Sequence, residues 1–159
     1  DFINTGYLLN VNKLDKIFSL LKKYDDLEKL IQDFFKMIAL DIYMRQEDRN
    51  FENYLFELYN NSISLGPLYD YTIAFDYYNN DLPYFYYNDF VILEKKEDYE
   101  ELYEFYPFFR TYIEKVKKID LIELIKKIFE ENYFRINDKI VENYKKEEEK
   151  TQKLLQKIL

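Results

Sequence analysis

The fold turns on Tyr71-Thr72-Ile73-Ala74-Phe75-Asp76-Tyr77-Tyr78, then Asn79-Asn80-Asp81, then Pro83-Tyr84-Phe85-Tyr86-Tyr87-Asn88-Asp89-Phe90-Val91-Ile92-Leu93. The first run is β-branched and aromatic, as strands prefer. Asn79-Asn80-Asp81 is turn chemistry, and Pro83 opens the run from Tyr84 to Tyr87, where a missing donor does least harm. Asn88-Asp89 turns again, and Phe90 to Leu93 makes a third run. Three short runs with tight turns predict an antiparallel three-stranded meander over about 71–94. A sheet this small is marginal alone and needs helices over one face.

The flanking sequence supplies helical patterns. Leu14, Ile17, Phe18, Leu21 and Tyr24 recur at spacings of three and four, with Asn10 or Asn12 as the expected cap. Asp25-Asp26 signals a second start, and an apolar stripe from Leu27 to Ile42 runs on to about Met44. A shorter helix is expected from Phe51 to Tyr59, capped by Asn50, before Asn60-Asn61-Ser62 and Gly66-Pro67 break the pattern. After the sheet, Asp98 is read as the cap of a helix carrying Tyr99, Leu102, Tyr103 and Tyr106, and Pro107 opens the next. Asp120 is read as the cap of a helix reaching about Phe134. A long C-terminal helix is expected from about Asp138, with a stripe of Ile140, Tyr144, Glu147, Thr151, Leu154 and Ile158 and a solvated middle. The fold class is therefore α+β: a predominantly helical single domain of residues 1–159, with helices over about 11–59, the sheet over about 71–94 and helices over about 98–159.

Absences narrow the chemistry. The chain has no histidine and no cysteine, which removes imidazole and thiolate nucleophiles, proton shuttles and metal ligands together. Gly6 and Gly66, the only two glycines, stand too far apart for a phosphate-binding loop. No cofactor or metal is expected. Asp76 to Asp81 resembles the start of a calcium loop only superficially, with Asp81 where glycine belongs and Tyr87 where glutamate belongs. A carboxylate glycosidase needs just two acids beside aromatic platforms, and it stays a distant alternative together with a carbohydrate-binding module. No apolar run has the length of a membrane span, and Asp1-Phe2-Ile3-Asn4 lacks the basic and apolar regions of a signal peptide. The lack of cysteine fits a reducing cytoplasm.

Charge is distributed unevenly. The chain carries a formal −8, and residues 70–110 alone hold ten acids against three bases, a net −7. Nine tyrosines and six phenylalanines share that segment. An A+T-rich coding sequence accounts for part of the aromatic excess, but it would favour lysine too, and lysine is nearly absent there. Aromatic rings offer large contact areas at low entropy, and carboxylates steer a basic partner. The expected role is thus a non-catalytic acidic module that inhibits or neutralises a basic, nucleic-acid-handling protein such as a nuclease. Direct binding of nucleic acid is disfavoured, because the aromatics alternate with acids. In size, charge and lack of catalytic groups the chain is similar in character to immunity proteins and phage inhibitors of bacterial defence, although no motif identifies a family.

The expected contact residues are Asp70, Asp76, Tyr78, Asp81 and Asp89 of the sheet and Glu97, Glu100, Glu101 and Glu104 of the following helix. The alternative is an assembly subunit, or a homo-oligomer, joined through apolar stripes such as Leu154, Leu155 and Ile158.

Overall fold

Leu14, Ile17, Phe18 and Leu21 wind into α1 (Asn10–Leu21) in the computed structural model, which describes residues 10–46, 49, 55–68, 86–87, 91–132 and 135–159. The chain turns through Asp25 and Asp26 into α2 (Leu27–Met44), whose apolar stripe is almost wholly buried. Asp26 adopts a left-handed conformation there, φ 66°, one of the few open to a non-glycine residue with a short polar side chain. Its carboxylate accepts the Ser62 hydroxyl at 2.5 Å.

The segment expected to end the next helix is instead a strand. β1 (Phe56–Tyr59) pairs antiparallel with β2 (Ser62–Leu65), with Tyr59 opposite Ser62 and Phe56 opposite Leu65. Asn60 at φ 54° makes the two-residue turn, the geometry in which asparagine replaces glycine at the tip of a hairpin. The polar triplet Asn60-Asn61-Ser62, read only as a helix stop, is therefore the hinge of a hairpin. The connection between α1 and α2 closes the outer edge of β2: the Asp25 N–H donates to the Asn61 carbonyl at 2.8 Å and the Ile63 N–H to the Asp25 carbonyl at 3.3 Å.

Of the expected meander, the described residues hold one antiparallel pair, β3 (Tyr86–Tyr87) with β4 (Ile92–Leu93). The first expected strand, Tyr71 to Tyr78, lies outside the described residues. A helix-dominated α+β fold thus stands, and the strands of the described residues form two small two-stranded antiparallel pairings.

Four helices complete the chain: α3 (Lys96–Phe105), α4 (Pro107–Val116), α5 (Leu121–Glu131) and α6 (Asp138–Ile158). Pro107 occupies the first turn of α4 as expected. Asp120 caps α5 by accepting the Glu123 N–H at 2.8 Å, and Asn137 caps α6 by accepting the Lys139 N–H at 2.8 Å. Asp98 is not the cap of α3. It sits inside the first turn and reaches back, its carboxylate accepting the N–H groups of Glu94 and Lys95 at 2.9 and 3.1 Å. All six helices of the described residues feed one hydrophobic cluster, which includes Leu14, Phe35, Leu102, Ile113, Leu121 and Leu155. No helix among the described residues is long and apolar enough to cross a membrane.

The polar middle of α6 is packed against α2 rather than solvated. Thr151 is fully buried and donates its hydroxyl to the Tyr43 carbonyl at 3.2 Å. Glu147 pairs with Arg45 and accepts from Lys150 Nζ at 2.9 Å. Beneath this contact lies a fully buried ion pair, in which Arg49 Nε and Nη2 donate to the two oxygens of Asp41 at 2.9 and 2.8 Å. Two parallel bonds from one guanidinium satisfy the carboxylate that burial would otherwise penalise.

Removing one half of such a pair leaves a charge in a dry site. Arg49→Met is expected to lower stability by about 3–5 kcal/mol in urea unfolding, and Asp41→Leu/Arg49→Met to recover most of the loss. A loss below about 1 kcal/mol for the single variant would contradict this assignment.

Candidate protein-binding surface

α3 is amphipathic in the simplest sense. Its interior side, Tyr99 and Leu102, has no exposure at all. Its other side carries Glu97, Glu100 and Glu104, all exposed, and Glu101, half-buried. At about 100° per residue, spacings of three and four place these four carboxylates on one broad face. Glu94 is exposed just before the helix. Residues 94–105 hold six acids and two lysines, a net −4, and Lys96 is partly engaged by Glu100 at 3.5 Å.

Close-spaced carboxylates and partial burial act on one another. Glu101 is held above the ordinary value of 4.5, first by burial and then by the charges of Asp98 and Glu104, with Lys95 opposing. Among the described residues no group of three or more acids is arranged to hold a metal ion. What the face offers is a row of separate hydrogen-bond acceptors, suited to several lysines or arginines in turn.

The aromatic residues of this region divide from the acids. Tyr99 and Phe109 are fully buried, and Tyr103, Tyr106 and Phe108 are half-buried against the core. Phe35 of α2 gathers them, with ring centroids 4.7 Å from Tyr106, 5.4 Å from Phe108 and 5.0 Å from Phe109. These rings are structure, not contact surface. The exception is Phe105, 56% exposed at the end of α3 beside Glu104.

One residue that sequence spacing did not reveal, Asp15, joins the surface. Tyr106 donates its hydroxyl to Asp15 of α1 at 2.6 Å, which sets an exposed α1 carboxylate near the end of α3. Burial first, and then this bond, pushes the Tyr106 phenol up. The Tyr103 hydroxyl is buried without a hydrogen-bond partner, and burial, opposed by the charge of Arg110, pushes it up as well. Of the sequence-based contact residues, Glu97, Glu100, Glu101 and Glu104 share the α3 face, while Asp70, Asp76, Tyr78, Asp81 and Asp89 lie outside the described residues.

A carboxyl whose folded value lies above its unfolded one supports the fold only while protonated. That support is complete below the unfolded value and disappears as pH rises through the folded one. Glu101→Gln, neutral throughout, is expected to unfold at a higher temperature than the parent chain at pH 7. The difference should close as pH falls below the ordinary 4.5. Equal midpoints at pH 7 would contradict crowding at this position. Comparison with protein-family models, curated proteins and solved structures finds no match, so the argument for function rests on this surface.

Proposed function

We propose that this chain is a non-catalytic acidic module that binds a basic protein through the outer face of α3 and neutralises it by covering a nucleic-acid-binding surface. The observation that carries the reading is the row of Glu97, Glu100, Glu101 and Glu104 along one side of a helix whose other side is locked into the core. A rigid helix presents its carboxylates at fixed intervals, so little side-chain ordering beyond the glutamates themselves is needed on binding. Phe105 supplies an apolar contact at one end of the row, and Asp15 adds a carboxylate near the same end. Acids steer association and reject acidic competitors, while the aromatic contact slows dissociation. Asp70, Asp76, Asp81 and Asp89, with Tyr78, belong to the proposal through the excess of negative charge that residues 70–110 carry in the sequence.

The assembly alternative does not draw on the α6 residues named for it. Leu155 and Ile158 are fully buried, and Leu154 packs against the same cluster, so these side chains serve the chain's own core.

Affinity capture from cell lysate with the parent chain and with Glu97→Gln/Glu100→Gln/Glu101→Gln/Glu104→Gln tests the reading. A basic protein is expected to be held by the parent chain at about 50 mM salt, released by about 500 mM, and held at least tenfold more weakly by the variant. A partner retained equally by both chains, or one whose binding ignores salt, would refute the acidic-face reading. So would turnover of a substrate that is lost on changing one carboxylate.

A further inference from the structure

α5 carries Leu121, Ile122, Leu124, Ile125, Ile128 and Phe129 around roughly 160° of its circumference, at about 100° per residue. The chain covers only part of that arc. Leu121 is buried and Ile125 packs against the core, and the Leu121 N–H donates to Glu148 of α6 at 2.8 Å. This bond sets the start of α5 against the middle of α6, while the short connection between the helices joins the end of α5 to the start of α6. The two form an antiparallel αα-hairpin. On its open side Leu124 and Ile128, one turn apart, are each 47% exposed, and Ile140 near the start of α6 is 40% exposed. An 11-residue helix lies below the length at which helices persist alone, so an uncovered apolar strip on it is a standing cost.

Charge narrows what covers this strip. Residues 121–146 carry six bases and five acids, a net +1, in a chain of −8. The rim beside the strip shows both signs, with Lys127 Nζ 3.9 Å from Glu131 and both largely exposed. A strongly basic partner finds no acidic excess here, and a strongly acidic one no basic excess. A surface that is apolar at its centre and balanced at its rim complements itself. Elsewhere, two acidic copies repel.

We propose that two copies of this chain dock hairpin to hairpin about a two-fold axis, with Leu124 and Ile128 of each meeting across it to build a four-helix arrangement. The strip is small beside the roughly 800 Å² per partner of a standard interface, so the dimer is a weak one, forming at tens to hundreds of micromolar. It uses a surface separate from the acidic face of α3.

Sedimentation equilibrium of the full chain over about 5–500 µM tests this. The mass is expected to rise with concentration from 19.8 kDa toward twice that value, at lower concentration when salt screens the repulsion between copies. Leu124→Glu/Ile128→Glu should stay at the mass of one chain, with its helical circular dichroism unchanged. Leu58→Glu, at a more exposed apolar residue of β1, should dimerise like the parent. Ile140→Lys gives a second reading of the same surface and should weaken the dimer at least about tenfold. A parent chain that stays monomeric throughout, or a Leu124→Glu/Ile128→Glu variant that dimerises like the parent, would overturn the proposal. Dimers weakened by salt would place the contact on charged surface and overturn it as well.

Discussion

The contact on which the rest of the surface depends is the aromatic corner around Phe35. Its ring, fully buried on α2, lies within about 5.4 Å of the rings of Tyr106, Phe108 and Phe109, at the junction where α3 ends and α4 begins. Phe18 of α1 meets the same corner from another side, edge-on to Tyr106 at 6.3 Å. Aromatic pairs of this geometry add about 0.5–1.5 kcal/mol each beyond the area they bury. Several such pairs fix the end of α3, while Tyr99 and Leu102, without exposure, fix its rotation. The glutamates have no other direction to face. Packing thus decides electrostatics: the rows of charge outside are the complement of the rows of rings inside.

This division gives the aromatic excess two meanings. In the described part of the acidic segment, most rings are core. The exposed acids of α3 are left outside that core. The ten residues of α3 carry a net −4, and held rigid on a helix they produce a local field far stronger than a net charge of −8 spread over the whole surface would. The balanced, partly apolar hairpin of α5 and α6 has the opposite character. The molecule therefore presents two surfaces with different chemistry, one acidic and one balanced in charge and partly apolar.

Much of this was legible from spacing alone. The stripes of α1, α2, α3, α4 and α5 could be read because helix burial repeats every three or four residues, and Asp120 could be read as a cap because it precedes such a stripe. The four glutamates of α3 were legible for the same reason. The β1–β2 hairpin was not: Leu55 and Leu58 also fit a helical stripe, and only the left-handed Asn60 and the pairing of Phe56 with Leu65 decide between the two. Pairings across the chain were equally hidden. Arg45 and Glu147 are 102 positions apart and Asp15 and Tyr106 are 91 apart, so no local pattern joins them. Glu147 and Thr151 looked like a solvated interruption of a stripe because their partners, Arg45 and the Tyr43 carbonyl, belong to another helix.

The central claim is that α3 presents its carboxylates to a basic protein, and hydrogen–deuterium exchange of the chain free and bound to its captured partner tests it most directly. The account predicts slowed exchange concentrated in residues 94–105 and near Asp15, with α5 unchanged. Unchanged exchange over 94–105, with protection appearing elsewhere, would contradict it.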